Sequence, residues 1–221
     1  MKRKLAAVFL IIAAILFLAS TGCKKDSPSP TGPVDTTGGD VVVRKPNIYI
    51  YPRVKEVVSI KLEFPLGGAV IESSPAYLGE WRVVVEPAGK IDNKYDYLFY
   101  ESKTPDAYQY NSGWIVCKDS LPIFLRANLS ESGFNGREIN DFIEYWVPRL
   151  INYPYCIVYP QYASDIDKII ELKISASPDN ILRLFYVIKG SANREISLCK
   201  PVIPKFKREG FVVAEWGVIL K

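Results

Sequence analysis

Glu101 and Glu215 each stand where an apolar row ends. In YDYLFYE, strict alternation places Glu101 on the face of Tyr95, Tyr97 and Phe99, and in GFVVAEW it places Glu215 with Phe211 and Val213. Two carboxylates held roughly 5–10 Å apart in one cleft would, by mutual repulsion and desolvation, raise one of the two pKa values and supply the acid and base of a glycoside hydrolase. The plainer alternative pairs each with a core-edge arginine such as Arg149 or Arg183, or turns it to water at its strand end. Aromatic side chains offer a second chemistry, because the chain holds 14 tyrosines and 4 tryptophans. Tyr97, Trp114 and Trp216, with Trp81, present flat faces on which a sugar or a peptide can stack. Tyrosine also suits an ordinary packed sheet.

Other chemistries find little support. The chain has no histidine, which removes the usual general base of serine and cysteine hydrolases and the commonest zinc ligand. No GxSxG elbow is present, and SLCK at 197–200 matches Ser-x-x-Lys without the SDN or KTG partners of that chemistry. Asp165 and Asp167 lack the glycine and the bidentate glutamate of a calcium loop, so they read as a helix start. No metal and no cofactor is expected. Cys117, Cys156 and Cys199 allow one disulfide at most. The apolar strand patterns around Cys117 and Cys156 favour buried thiols instead.

The elements that must hold these residues begin after a processing signal. Lys2, Arg3 and Lys4 precede an apolar run from Leu5 to Ala19, and Ser20, Thr21 and Gly22 lead to Cys23. That run has the length of a signal-peptide core rather than the roughly 20 residues of a membrane span. The small residues ending in Gly-Cys resemble the lipobox of bacterial lipoproteins, which implies cleavage after residue 22 and acylation of Cys23. Ser20 stands where that pattern usually has leucine. Several acyl chains on one residue suffice for stable anchoring to a membrane. Loss of the first 22 residues removes three bases and no acid, so 28 Lys and Arg against 24 Asp and Glu become 25 against 24. So balanced a charge gives no footprint for nucleic acid.

Residues 23–44 are rich in Pro, Gly, Ser, Thr and Asp and read as a flexible tether with a reach on the order of 25 Å. Residues 45–221 are expected to form a single domain. VVSIKLEF alternates apolar and polar residues, and NIYIYP, EWRVVVEP, YDYLFYE, GWIVCK, YCIVYP, IIELKI, ILRLFYVI and GFVVAEW continue the strand pattern. One segment departs from it. Ile139, Phe142, Ile143 and Trp146 recur at helical spacing, Asn135 and Glu138 suit a capping box, and Phe134 can staple to Ile139. Pro148 is expected to end this helix, placed at about 136–146, and ASDIDKII suggests a short second turn. The expected fold is mostly β, a β-sandwich or an α+β domain of antiparallel strands with one amphipathic helix.

KPNIYIYP, YDYLFYE, INDFIEYWVPRL, SPDNILRLFYVI and GFVVAEWG occur in that order from Lys45 to the end. Together they resemble a family of secreted bacterial proteins that starts with KPxIYLYP and ends near EWGG. Ile50 and Val218 depart from those motifs. The resemblance implies a shared fold and export and supplies no activity. The expectation is an exported lipoprotein, at the outer membrane or cell surface, whose β-rich domain binds or scaffolds an envelope protein or polysaccharide. The alternative is an envelope glycoside or cell-wall hydrolase working through Glu101 and Glu215.

Overall fold

The period-two segments assemble into two sheets that share one interior. The description covers residues 39–150, 152–194 and 197–221 of a computed structural model. In chain order the strands are β1 (Asp40–Tyr51), β2 (Glu56–Glu63), β3 (Ala69–Ser74), β4 (Trp81–Val85), β5 (Leu98–Pro105), β6 (Trp114–Cys117), β7 (Tyr155–Tyr162), β8 (Glu171–Ile174), β9 (Asn180–Ser191) and β10 (Val212–Leu220). Seven of them form one sheet in the order β3-β5-β1-β10-β9-β7-β6, and β4-β2-β8 form the other. The helices are α1 (Leu121–Ser132), α2 (Gly136–Leu150) and the single turn α3 (Ala163–Ile166).

Alternation on the central strands explains the layering. On β9 and β10, Leu184, Tyr186, Ala214, Trp216 and Val218 share a core with Leu125, Leu129, Phe142 and Trp146 of the helices. The intervening Phe185, Val187, Val213 and Ile219 share the other core with Val58, Ile60, Trp81 and Val83 of the small sheet. The large sheet is therefore covered on both faces, and its middle strands read as nearly unbroken apolar runs. The small sheet keeps one face wet, so β2 alternates cleanly and shows Lys61 and Glu63 to solvent as an ion pair.

Several elements differ from the sequence expectation. The expected single helix is one of two long ones. Residues Leu121, Leu125, Asn128, Leu129 and Ser132 form the buried stripe of α1, and its two polar members hid the helical period. Asn128 is usable there because its carbonyl accepts a hydrogen bond from the buried Tyr186 hydroxyl. Gly133 ends α1 in the left-handed region at φ 106°, and a Cβ there would approach the Phe206 ring to 2.8 Å. Pro148 does not stop α2, which continues to Leu150 because that side chain is buried in the helix-side core. The ladder is antiparallel except between β9 and β10, which run parallel and are joined through residues 192–211. That connection returns across the helices, where Phe206 packs and Arg208 pairs with Glu138. β3 is an exposed edge strand that alternation did not mark. β1 begins at Asp40, so the last residues of the segment read as tether are strand, while residues 1–38, including Cys23, lie outside the described residues.

Candidate functional site

Glu215 lies inside the sandwich, with no exposed surface, and its two oxygens are fully engaged. Oε2 accepts from Arg183 Nε at 2.6 Å and Oε1 from the Tyr100 hydroxyl at 2.8 Å. Arg183 sits opposite Glu215 in the parallel β9–β10 register, which is why the pair forms. Its Nη1 also donates to Ile170 O at 2.7 Å and to Asp167 at 2.5 Å, while Nη2 finds no partner among the described residues. Asp167 is therefore an ion-pair partner rather than a cation ligand, and Asp165 lies within the one turn of α3. Burial alone would weaken the Arg183 charge, but the Glu215 carboxylate, the strongest of the opposing influences, holds the guanidinium above its ordinary value.

Glu101 lies on the opposite face of the same sheet. Its neighbours Leu98 and Tyr100 point into the sandwich, so Phe99 and Glu101 point away from it. There Glu101 stands 3.7 Å from Arg44. A sheet separates the two carboxylates, and they share no cleft. The arrangement has neither the common cavity nor the accessible acid that glycoside hydrolysis requires. Of the two arginines proposed as partners, Arg183 takes Glu215, whereas Arg149 stacks on the Tyr145 ring at 3.8 Å.

The aromatic candidates separate in the same way. Trp216 is fully buried against Phe142, and its indole N–H donates to the Glu138 carbonyl at 3.1 Å, so its faces are not available for stacking. Trp81 is also buried, with its N–H on Pro75 O. Trp114 is half-buried and meets Phe124 edge-on at 5.3 Å, forming a ridge between two open grooves. Cys156 is buried as expected. Cys117 is exposed at the end of β6, and the Ser120 hydroxyl followed by the Ser120 and Asp119 amides draw its pKa below the usual thiol value. Both are free, so none of the three disulfide pairings possible among Cys117, Cys156 and Cys199 forms.

Tyr97 stands at the most elaborated surface site. Between Val43 and Asn47 the register of β1 slips against β5, and Lys45 takes a left-handed φ of 53°, unusual for a residue with a side chain. This bulge lifts the Lys45 ammonium over three rings, 4.5 Å from Phe99, 4.9 Å from Tyr97 and 5.3 Å from Tyr145. Among the described residues its only hydrogen bonds are long, 3.4 Å each to Asn47 Oδ1 and the Tyr97 hydroxyl, and no carboxylate there pairs with it. Desolvation lowers its pKa, against the opposing pull of Asp141, Glu101 and Glu72. Below it, Tyr49 touches Tyr97 edge-on at 5.4 Å and donates to Asp141 at 2.8 Å, which fixes the ring platform to α2.

A concavity of about 320 Å³ opens beside this platform, lined by Lys45, Tyr95, Tyr97, Phe99, Lys94 and Asp96 among others. Lys94 lies 4.9 Å from the Tyr95 ring centroid. Asp96 is held by Lys90 at 3.1 Å and Arg137 at 2.7 Å, which accounts for its charge. The sequence alternation that puts Tyr95, Tyr97 and Phe99 on one strand face does not hold before β5: residues 96–97 form a bend, and Tyr95 packs on the sandwich core while Tyr97 packs on the helix-side core. Alternation also missed Lys45, because a lysine before a proline at a strand's start reads as a turn and a bulge leaves no mark in a period-two pattern. Comparison with known proteins finds no family model that matches the chain, no similar curated protein and no similar solved structure.

Proposed function

We propose that this chain is a bacterial lipoprotein, anchored through acylated Cys23 at the outer membrane or cell surface, whose β-rich domain binds a component of the cell envelope. The domain's resemblance to secreted proteins with KPxIYLYP and EWGG motifs supports the same destination. The observation that carries the binding function is the concavity in which Tyr95, Tyr97 and Phe99 converge with Lys45 and Lys94. Rings fixed from below by the Tyr49–Asp141 bond offer apolar faces at low entropic cost, as a module that holds a polysaccharide or a protein requires.

Two variants of the full-length protein test the anchor and the site independently. Cys23→Ser abolishes incorporation of a fatty-acid probe and releases the protein from the membrane fraction; undiminished label would remove the anchor from this proposal. Tyr97→Ala leaves labelling intact and lowers retention on immobilised envelope polysaccharide or protein fractions by about tenfold, consistent with loss of a central aromatic contact. Retention equal to that of the unmodified protein on every fraction would refute the site.

A further inference from the structure

We infer that the concavity beside Tyr97 takes a carboxylated saccharide, a uronic-acid unit of an acidic envelope polysaccharide, with its carboxylate between Lys45 and Lys94 and its ring against the aromatic faces. This rests on the proposal that the Tyr97 surface is a binding site, and it adds the chemical class of the ligand. The charge argument comes first. Lys45 is half-buried, and it has no carboxylate partner among the described residues. Asp141, Glu101 and Glu72 act on it from a distance, Glu101 standing beside Arg44 and Asp141 accepting from the Tyr49 hydroxyl, and none of the three forms an ion pair with it among the described residues. Lys94 faces the same concavity and likewise makes no ion pair there. A cation kept partly from water without a counter-ion costs free energy in the unliganded protein, and an arriving anion recovers it.

The backbone carries a second argument. Holding Lys45 over the rings requires the bulge and its positive φ, a strain of the kind that accumulates where a side chain must be aimed at a ligand. Shape then selects among anions. The cavity lies at the small end of the range for bound organic molecules, so it admits one cyclic unit rather than an extended peptide. The Tyr95, Tyr97 and Phe99 rings lining the cavity favour the flat C–H face of a sugar over a bare phosphate or carboxylate.

The test is calorimetric titration of the full-length protein in detergent with a panel of oligouronides and, separately, with their methyl esters, which keep the sugar and remove the charge. The acids should bind at least tenfold more tightly than the esters at low salt, and the difference should shrink as salt rises. Lys45→Met and Lys94→Met should each bring the two affinities toward equality, while Tyr97→Ala weakens acid and ester alike. Lys45→Met should fold with an unchanged or higher melting temperature, since desolvation disfavours the charge it removes. Equal affinity for acid and ester, or no binding of any uronide, overturns the inference; retention on envelope fractions that still depends on Tyr97 would leave the proposed function standing. Poly-glutamate that binds as tightly as the uronides would overturn the saccharide assignment in favour of an acidic peptide.

Discussion

At the scale of residues, the two acids that the sequence singles out have separate fates, and burial decides them. Glu215 neutralises a guanidinium in the sandwich interior, so replacing it with glutamine keeps hydrogen bonds to Arg183 and Tyr100 but leaves a buried cation supported by the half-exposed Asp167 alone. Glu215→Gln should lower stability by about 2–4 kcal/mol, toward the lower end of the cost of breaking a buried pair because Asp167 remains. Denaturant melts of the full-length protein at pH 7 measure this. A mutant that melts higher would mean that Glu215 is repelled rather than paired. That pairing was legible in the sequence, because an acid on an apolar face needs a partner and Arg183 follows the same alternation on a neighbouring run. The Lys45 platform was not legible, since its geometry depends on a bulge and on Tyr145, a helix residue far away in sequence.

At the scale of elements, α2 is joined to the sheet by its first turn as well as by its stripe. Asn135 Oδ1 accepts from the Glu138 amide at 3.0 Å, and Glu138 Oε2 accepts from the Asn135 amide at 2.8 Å, the reciprocal capping box expected from the sequence. Arg208 closes the same carboxylate at 3.0 Å, and Tyr51 receives the Asn135 side-chain N–H at 3.2 Å. Asn135→Ala should therefore cost about 1–2 kcal/mol, the upper part of the range for a cap. Trp146→Ala should cost about 3–5 kcal/mol, because its ring is buried against Phe142 and Tyr145. Paired denaturant melts check the order, and the reverse order would place the stripe toward water. This helix was legible because four large apolar residues share one period and a matched cap marks its start. α1 was not, since Asn128 and Ser132 stand in its buried stripe and become satisfied only when Tyr186 and the helix's own carbonyl arrive. β3 left no signal because an edge strand buries too little to impose alternation.

At the scale of the whole molecule, two interiors packed on one sheet trap phenols that would otherwise titrate, and the chain has no histidine to titrate before them. Tyr49, Tyr100, Tyr108 and Tyr186 are buried, and burial is the first cause of the rise in each one's pKa. At Tyr100 the Glu215 charge adds to it. Below about pH 10, folded and unfolded chains both keep these protons. Above it, the unfolded chain releases them while the fold retains them, so the unfolded state binds fewer protons and stability falls as pH rises. Each such tyrosine contributes a loss of up to about 1.4 kcal/mol per pH unit, so four together remove about 5–6 kcal/mol per unit. A domain stable by about 5–15 kcal/mol loses that margin within roughly one to three units. Stability should therefore be flat between pH 6 and 8 and should fail cooperatively between about pH 11 and 13. Tyrosinate absorbance followed together with circular dichroism tests this: the buried set should ionise in one step as the dichroism is lost. A single smooth ionisation of all the rings near pH 10, with unchanged dichroism, would mean that water already reaches both cores.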